Sequence, residues 1–311
     1  MKQTYLALFL LLTLGMFSCR KDKNDIDIKA YDQSQIEAYI SANKLTNMTR
    51  DKMGGVDTTG IYYEILGQGR GQALDYDTRA TVVFSVKSID GQYVSSDTIL
   101  NHSYTFIGNI PPNGLMLAVL RIAKNKGTRA HFVVPSRLAY GAIGIPTGSS
   151  RLRGNQSLDY YVNVIDDTKQ VQYDELSIQK YAQANGINLS SYTHNATNGL
   201  YYKVTQPGTG TVPITQINTF NAQYTGTLLN GNIFDQLNDQ ETGNVGGQFV
   251  LENTIRGWKE AFPGLTAGAK LSVLIPSGLA YGLQGQSSGG VITIPASSCL
   301  RFEVNIVSVN Q

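Results

Sequence analysis

The chain has 311 residues, carries 25 Lys and Arg against 23 Asp and Glu, and holds a net charge of +2. That length allows two ordinary domains with real cores, and the balanced charge excludes a basic face for nucleic acid or a polybasic membrane surface. Charged residues make up only 15% of the chain while Gly, Ser, Thr, Asn and Gln are plentiful, so the surface is polar but weakly charged.

Lys2 precedes an apolar run from Tyr5 to Phe17. The run is too short to span a bilayer comfortably and reads as a signal peptide covering residues 1–18. It ends at Ser18-Cys19, followed by the charged stretch Arg20 to Asp25, and so resembles a bacterial lipoprotein signal in which Cys19 becomes the lipidated first residue. Met16-Phe17-Ser18 departs from the commonest form of that signal, and the bland alternative is a secretory signal beside a chance cysteine. The position of Cys19 at the end of the apolar run favours lipidation. The expectation is a protein of the bacterial cell envelope, outer membrane rather than inner, periplasmic or surface-exposed, touching the membrane through its lipid alone. Residues 19–31 read as a solvated tether.

Cys299 is the only other cysteine, so a lipidated Cys19 leaves no intramolecular disulfide. Cys299 lies next to a strand and reads as a small buried apolar residue. His102, His131 and His194 are the only histidines and share no metal-ligand spacing, so neither a metal nor any other cofactor is expected.

Beyond the tether, Ile36, Tyr39 and Ile40 fall at helical spacing after the polar starter Asp32-Gln33-Ser34. A Tyr-Tyr strand follows at Ile61–Ile65, then the glycine cluster Gly67 to Gly71, which leads into no helix and reads as a loop between strands rather than a phosphate cradle. Asp90-Gly91 marks a tight hairpin, and Leu158, Tyr160, Val162 and Val164 alternate along a strand. The same series then recurs. Asp174, Ile178, Tyr181 and Ala182 repeat the helix, Leu200–Val204 the Tyr-Tyr strand, and Pro207 to Thr211 the glycine cluster. Phe220–Leu229 and Asn232–Phe234 flank the turn dipeptide Asn230-Gly231, and Leu300, Phe302, Val304 and Ile306 repeat the last strand. Leu138-Ala139-Tyr140-Gly141 returns as Leu279-Ala280-Tyr281-Gly282, 141 positions later. A near-constant offset over a whole module means tandem domains rather than a short-period solenoid. Trp258, Ala261, Phe262 and Leu265 give one apolar helix face to lie against a sheet. The expected class is α+β: two tandem domains, each an antiparallel β-sheet wrapped on one short α-helix and preceded by a short helix.

The second copy carries a family pattern. Gln223-Tyr224-Thr225-Gly226, Asn230-Gly231, Phe234-Asp235, Phe249-Val250-Leu251, Ile255-Arg256-Gly257-Trp258, Ile275-Pro276, Leu279-Ala280-Tyr281-Gly282, Ile294-Pro295 and Leu300-Arg301-Phe302 follow in order. Over residues 200–311 the chain resembles the FKBP-type peptidyl-prolyl isomerases. The resemblance implies a proline pocket with Trp258 as its floor and Tyr224, Phe234, Ile255 and Phe302 as its walls. It implies that the Tyr281 hydroxyl and the Ile255 backbone N–H donate to substrate carbonyls. Asp235 would accept hydrogen bonds at the rim, one of them from Tyr224, and Ile294 would lie on a loop overhanging the site. Two departures stand out. The stretch Gln236 to Gln240 lacks the basic residue common near that turn, and the Gly/Ser-rich loop between Tyr281 and Ile294 is long.

No acid or nucleophile is needed for such chemistry. Turning an X–Pro bond costs roughly 18–20 kcal/mol because rotation breaks amide resonance. The twisted amide is less dipolar than the planar one, so a dry aromatic pocket penalises the planar form more. Proline-containing polypeptides are the implied substrates, and macrolides of the FK506 type are implied ligands.

In the first copy Phe84 stands for Tyr224, Val94-Ser95 for Phe234-Asp235, Leu115 for Trp258 and Leu152 to Asn155 for Ile294 to Ser297, while Tyr140 and Tyr160 persist. Residues 32–168 therefore read as a degenerate FKBP-like domain with its leading helix, and residues 174–311 as an isomerase domain with its own. Three functions follow from different classes: an isomerase assisting the folding of exported proteins, a non-catalytic envelope chaperone or polypeptide-binding scaffold, and a pair of spacers. Fold alone does not choose among them; the complete residue set in the second copy favours the isomerase.

Overall fold

The computed structural model describes residues 27–52, 59–147, 151–238, 243 and 245–310. The signal peptide, Cys19 and most of the tether lie outside the described residues. Helix α1 spans Ile28–Ala42 and is capped by Asp27, whose carboxylate accepts the N–H groups of Lys29 and Ala30 at 3.0 and 3.5 Å. The helix thus starts ahead of Asp32, the starter expected from sequence. Asp32 is spent elsewhere: it is buried, and it accepts Ser136 Oγ at 2.6 Å and Arg137 N–H at 3.2 Å.

The first sheet comprises β1 (Thr49–Arg50), β2 (Tyr62–Gly67), β3 (Arg79–Ser88), β4 (Val94–Ser95), β5 (His102–Phe106), β6 (Arg129–Val134) and β7 (Leu158–Val164). Its order is β1-β2-β6-β7-β3-β4, with β5 also on β3. Helix α2 (Asn113–Ala118) covers one face. The series then repeats with α3 (Gln170–Ala184), β8 (Thr193–Asn195), β9 (Leu200–Gln206), β10 (Thr219–Leu228), β11 (Ile233–Leu237), β12 (Gly247–Val250), α4 (Arg256–Ala261), β13 (Lys270–Ile275) and, after the hairpin β14 (Gln286–Ser288) to β15 (Val291–Ile294), β16 (Leu300–Val309). The second sheet runs β8-β9-β13-β16-β10-β11 with β12 on β10, the same order as the first, and its strand pairs are antiparallel. The fold is α+β, two antiparallel sheets each on a short helix and each led by a longer one.

Alternation decides which face is buried. On β16, Leu300, Phe302, Val304 and Ile306 point into the core beside Trp258, Phe262, Leu271 and Val273, while Arg301, Glu303 and Asn305 face away. The outward face is partly covered by α3, where Ile178 packs with Tyr201, Leu274 and Cys299. Cys299 is buried and free, and burial pushes its thiol pKa up, which keeps it an inert apolar side chain.

Each leading helix is held by a repeated set of polar contacts. Asp174 takes the role of Asp32, accepting Ser277 N–H at 2.9 Å and Ser277 Oγ at 2.7 Å. Tyr62 donates to Glu37 at 2.8 Å and Tyr201 to Glu175 at 2.6 Å. Gln33 and Gln179 donate to the same two carboxylates, so amide and acid have exchanged places between the copies with the contact kept. Tyr39 donates to Asp159, whereas Tyr181 accepts from Arg301 at 3.0 Å, a second exchange at matching positions.

Burial raises the Asp174 carboxyl above its usual range, and the hydrogen bonds from Ser277 and Gln170 only partly offset this. The folded chain therefore holds that proton more tightly than the unfolded chain. The stability it contributes is complete below the unfolded pKa and is lost as pH rises through the folded one. Asp174→Asn should remove this dependence: its melting temperature relative to wild type should rise as pH is taken from 4 to 7. A constant difference across that range would show that burial does not raise the Asp174 pKa in the fold.

Two backbone details position the site. A Cβ on Gly257 would sit 2.6 Å from Ile275 Cγ2, and one on Gly114 would sit 2.3 Å from Val134 Cγ1, so both covering helices need glycine to approach their sheets. The β10–β11 connection is a three-residue turn, Leu229-Asn230-Gly231, closed by Gly231 N–H to Leu228 O and Leu228 N–H to Asn232 O, both 2.9 Å. Only Gly231 takes a positive φ (89°), so this is a type I turn with a glycine bulge rather than the two-residue turn expected from Asn230-Gly231. The long loop after Tyr281 is also not structureless. It folds into the β14–β15 hairpin because Gly289 and Gly290, with φ of 57° and 82°, supply the turn that tightens it.

Candidate active site

One cavity of about 490 Å³ lies over α4, lined by side chains from widely separated strands. Trp258 on α4 is 4% exposed and forms its base. The indole meets Tyr224 (β10) at 5.3 Å and Phe302 (β16) at 5.4 Å between ring centroids, both near perpendicular, and stacks on Phe262 at 4.6 Å. Phe234 (β11) meets Phe302 edge-on at 5.6 Å. Gly226 sits opposite Phe302 on the neighbouring strand, and a Cβ there would lie 2.7 Å from Phe234 Cζ and 2.9 Å from Phe302 Cε1. The bare backbone at Gly226 is what lets the two rings close one wall.

The polar groups are few. Tyr224 donates its hydroxyl to Asp235 Oδ2 at 2.6 Å across the β10–β11 pair. Tyr281 lies in the turn after β13, half-buried, and burial together with the nearby Asp235 charge raises its pKa above the ordinary value of 10.0. It therefore remains a protonated donor at neutral pH. Ile255 is the N-cap of α4, and its N–H meets no acceptor among the described residues. Trp258 Nε1 is likewise buried without a partner among them.

The cavity gathers Tyr224, Phe234, Asp235, Ile255, Trp258, Tyr281 and Phe302. Ile294, placed by sequence on an overhanging loop, is instead 1% exposed at the end of β15 and packs in the core cluster behind the wall. It is apolar at the point where the hairpin returns to the sheet, and the exposed tip falls to Val291 and Ile292. Phe249, part of the family pattern but given no pocket role there, lines the cavity with Ala280 and the Asn253–Arg256 segment, because β12 pairs with β10 and brings Phe249 to 5.5 Å from Trp258. The signal available was the Phe249-Val250-Leu251 motif itself. A second hollow of about 560 Å³, lined by Gln223, Thr225, Lys270, Glu303 and Asn305 among others, has Tyr224 as its one aromatic lining residue. Among the described residues no group of three or more His, Cys, Asp or Glu side chains converges as a metal site would require.

The first sheet keeps the frame and loses the equipment. Phe84 pairs with Val162 as Tyr224 pairs with Val304, and Ser95 pairs with Val86 as Asp235 pairs with Gly226. Leu115, fully buried, follows Gly114 as Trp258 follows Gly257. One further loss escaped the sequence comparison. The N-cap of α2 is Pro112, which stands where Ile255 stands and has no N–H.

Comparison with known proteins agrees with this geometry. Residues 211–307 match the family model of the FKBP-type peptidyl-prolyl cis-trans isomerases. The peptidyl-prolyl cis-trans isomerase Mip of Coxiella burnetii is 39% identical over 114 residues, covering 37% of this chain and 46% of that protein. The isomerase FkpA of Escherichia coli is 34% identical over 131 residues, covering 42% of this chain and 43% of that protein. The outer membrane protein MIP of Legionella longbeachae is 35% identical over 113 residues, 36% of this chain and 45% of that one. The chain thus spans less than half the length of these relatives.

Proposed function

We propose that residues 174–311 form a peptidyl-prolyl cis-trans isomerase domain acting on proline-containing polypeptides, and that residues 32–168 form a domain of the same fold without that activity. The observation that carries this is the aromatic hollow over Trp258, open to solvent on one side, with Ile255 and Tyr281 among its lining residues. The proline ring sits on the indole between Tyr224, Phe234 and Phe302. Apolar contact removes water from the imide and favours its less dipolar twisted form. The Ile255 N–H and Tyr281 hydroxyl hold carbonyls flanking the proline, so that one side of the X–Pro bond is fixed while the other turns. Asp235, by accepting from Tyr224, keeps that ring upright against the wall. Macrolides of the FK506 type fit the same cavity by the same contacts.

Uncatalysed X–Pro isomerisation takes tens to hundreds of seconds, so catalysis is read directly in a proline-limited refolding assay. The full chain without its signal should accelerate that phase at micromolar concentration. Absence of acceleration would remove the enzymatic reading. The cellular role follows from the N-terminus: lipidation at Cys19 places the isomerase in the envelope, where it assists the folding of exported proteins. Cys19→Ala should move the protein from the membrane fraction to the soluble envelope fraction, and unchanged retention would count against the anchor.

A further inference from the structure

The first domain touches two segments that flank the cavity of the second. In the β4–β5 connection, Asp97 Oδ1 accepts the N–H groups of Ile99 and Leu100 at 2.9 and 3.1 Å, which shapes a tight turn. The other carboxylate oxygen accepts Asn230 Nδ2 at 2.7 Å. Asn230 is the middle residue of the β10–β11 turn, and its own Oδ1 accepts Asn232 N–H at 3.0 Å. Ile99, half-buried, packs against the core cluster that contains Trp258 and Phe302. On the other side, Thr81 of β3, fully buried, shares a hydrogen bond of 3.3 Å with Ser297 Oγ. Ser297 in turn donates its N–H to Gly282 O at 2.9 Å, directly after Tyr281. A third contact, His102 Nε2 to the Tyr173 hydroxyl at 3.0 Å, joins β5 to α3.

We infer that the first domain is a positioning partner of the cavity: Asp97 and Ile99 act through Asn230 on the strand bearing Phe234 and Asp235, and Thr81 acts through Ser297 on the turn bearing Tyr281. This rests on the isomerase reading for its consequence, though not for its geometry. A mere spacer would not need to bury Thr81 or to insert Ile99 into its neighbour's core. β11 lies at an edge of its sheet, paired with β10 alone, so its turn has little else to hold it. A domain that has lost its own donors has thus kept a use, as the wall behind its neighbour's pocket.

The test uses the full chain and a reciprocal exchange. Asn230→Asp sets two carboxylates against each other, and Asp97→Asn sets two amide NH₂ groups against each other. The double variant restores one donor and one acceptor with the hydrogen bond reversed, and it keeps the contacts to Ile99, Leu100 and Asn232. Each single variant should weaken FK506 binding and lower kcat/KM by roughly three- to tenfold, the scale of one hydrogen bond. Each should also speed amide exchange at residues 233–237, and the double variant should recover most of all three. Ile99→Ala should act in the same direction. Singles and Ile99→Ala indistinguishable from wild type in all three readouts would overturn the inference, as would impaired singles without recovery in the double. If wild type itself neither isomerises nor binds FK506, the functional reading fails, and amide exchange at 233–237 still decides the coupling.

Discussion

Trp258→Leu should cut kcat/KM by roughly 10- to 100-fold while the chain still folds. Removing a buried aromatic surface costs about 1.5–3 kcal/mol of apolar contact, and each 1.36 kcal/mol is tenfold in rate. The indole also supplies edge and stacked contacts to Tyr224, Phe249, Phe302 and Phe262, so its loss loosens the walls as well as the floor. The chain contains its own control for folding: Leu115 fills the matching position of the first sheet and is fully buried. A stability loss of a few kcal/mol accompanies the change, as for other large-to-small core substitutions. The assay is therefore run well below the melting temperature, with Trp258→Phe as the partner variant that keeps a flat aromatic floor. Equal kcat/KM for wild type and Trp258→Leu would show that the substrate ring does not rest on the indole. Trp258 is the sole tryptophan, so ligand binding should also change the intrinsic fluorescence of the wild-type protein, and that response should vanish in either variant.

Ile255→Pro should leave the melting temperature nearly unchanged and lower kcat/KM by roughly tenfold to a hundredfold. Ile255 has φ −64° and ψ 152°, angles that proline adopts without strain. Thr254, at φ −102° and ψ 175°, is already in the extended region that proline demands of the residue before it. Pro112 occupies the equivalent N-cap in the first sheet with φ −75° and ψ 170°. The substitution therefore deletes one donor with little other disturbance to the backbone. Losing a preorganised donor to a developing oxyanion costs about 10²–10³ in kcat; a carbonyl that stays neutral during rotation should cost less. Ile255→Val trims the same side chain and keeps the N–H, separating the two contributions. A folded proline variant with wild-type kcat/KM would exclude the Ile255 N–H from substrate binding.

Both variants transplant what the first copy already carries, and the same comparison shows where sequence reasoning reaches its limit. The losses at Trp258, Tyr224 and Asp235 were visible because each is a change of side chain within a recognisable motif. The loss at Ile255 is of a different kind: the alignment of Gly114 with Gly257 puts Pro112 opposite it, but what disappears is a backbone N–H, and only the helix N-cap geometry shows that this N–H is free to donate. Ile294 was set on the wrong side of the wall, and Phe249 given no pocket role, for a related reason. An apolar residue near a strand end has the same sequence signature whether it lines a cavity or lies behind its wall, and only the pairing of β12 with β10 and the return of the β14–β15 hairpin separate the two.

By itself the sequence determined what is local or periodic: the duplication, the alternation along β16, the helix face of Trp258 and the aromatic motifs of the second copy. These survive without coordinates because each is written in spacing along the chain. The tertiary structure alone decided how the parts face one another. Asp32 and Asp174 proved to be buried pins rather than helix starters, and amide and acid were seen to trade places while keeping one contact. The first domain was found against the β10–β11 turn, the core cluster and Ser297 of the second through Asp97, Ile99 and Thr81. Apart from the amide–acid exchange, these hydrogen bonds join residues more than a hundred positions apart. A polar side chain carries no mark of which distant partner it will meet, so the division of labour between the two copies could be read from the chain, but not the surface on which they cooperate.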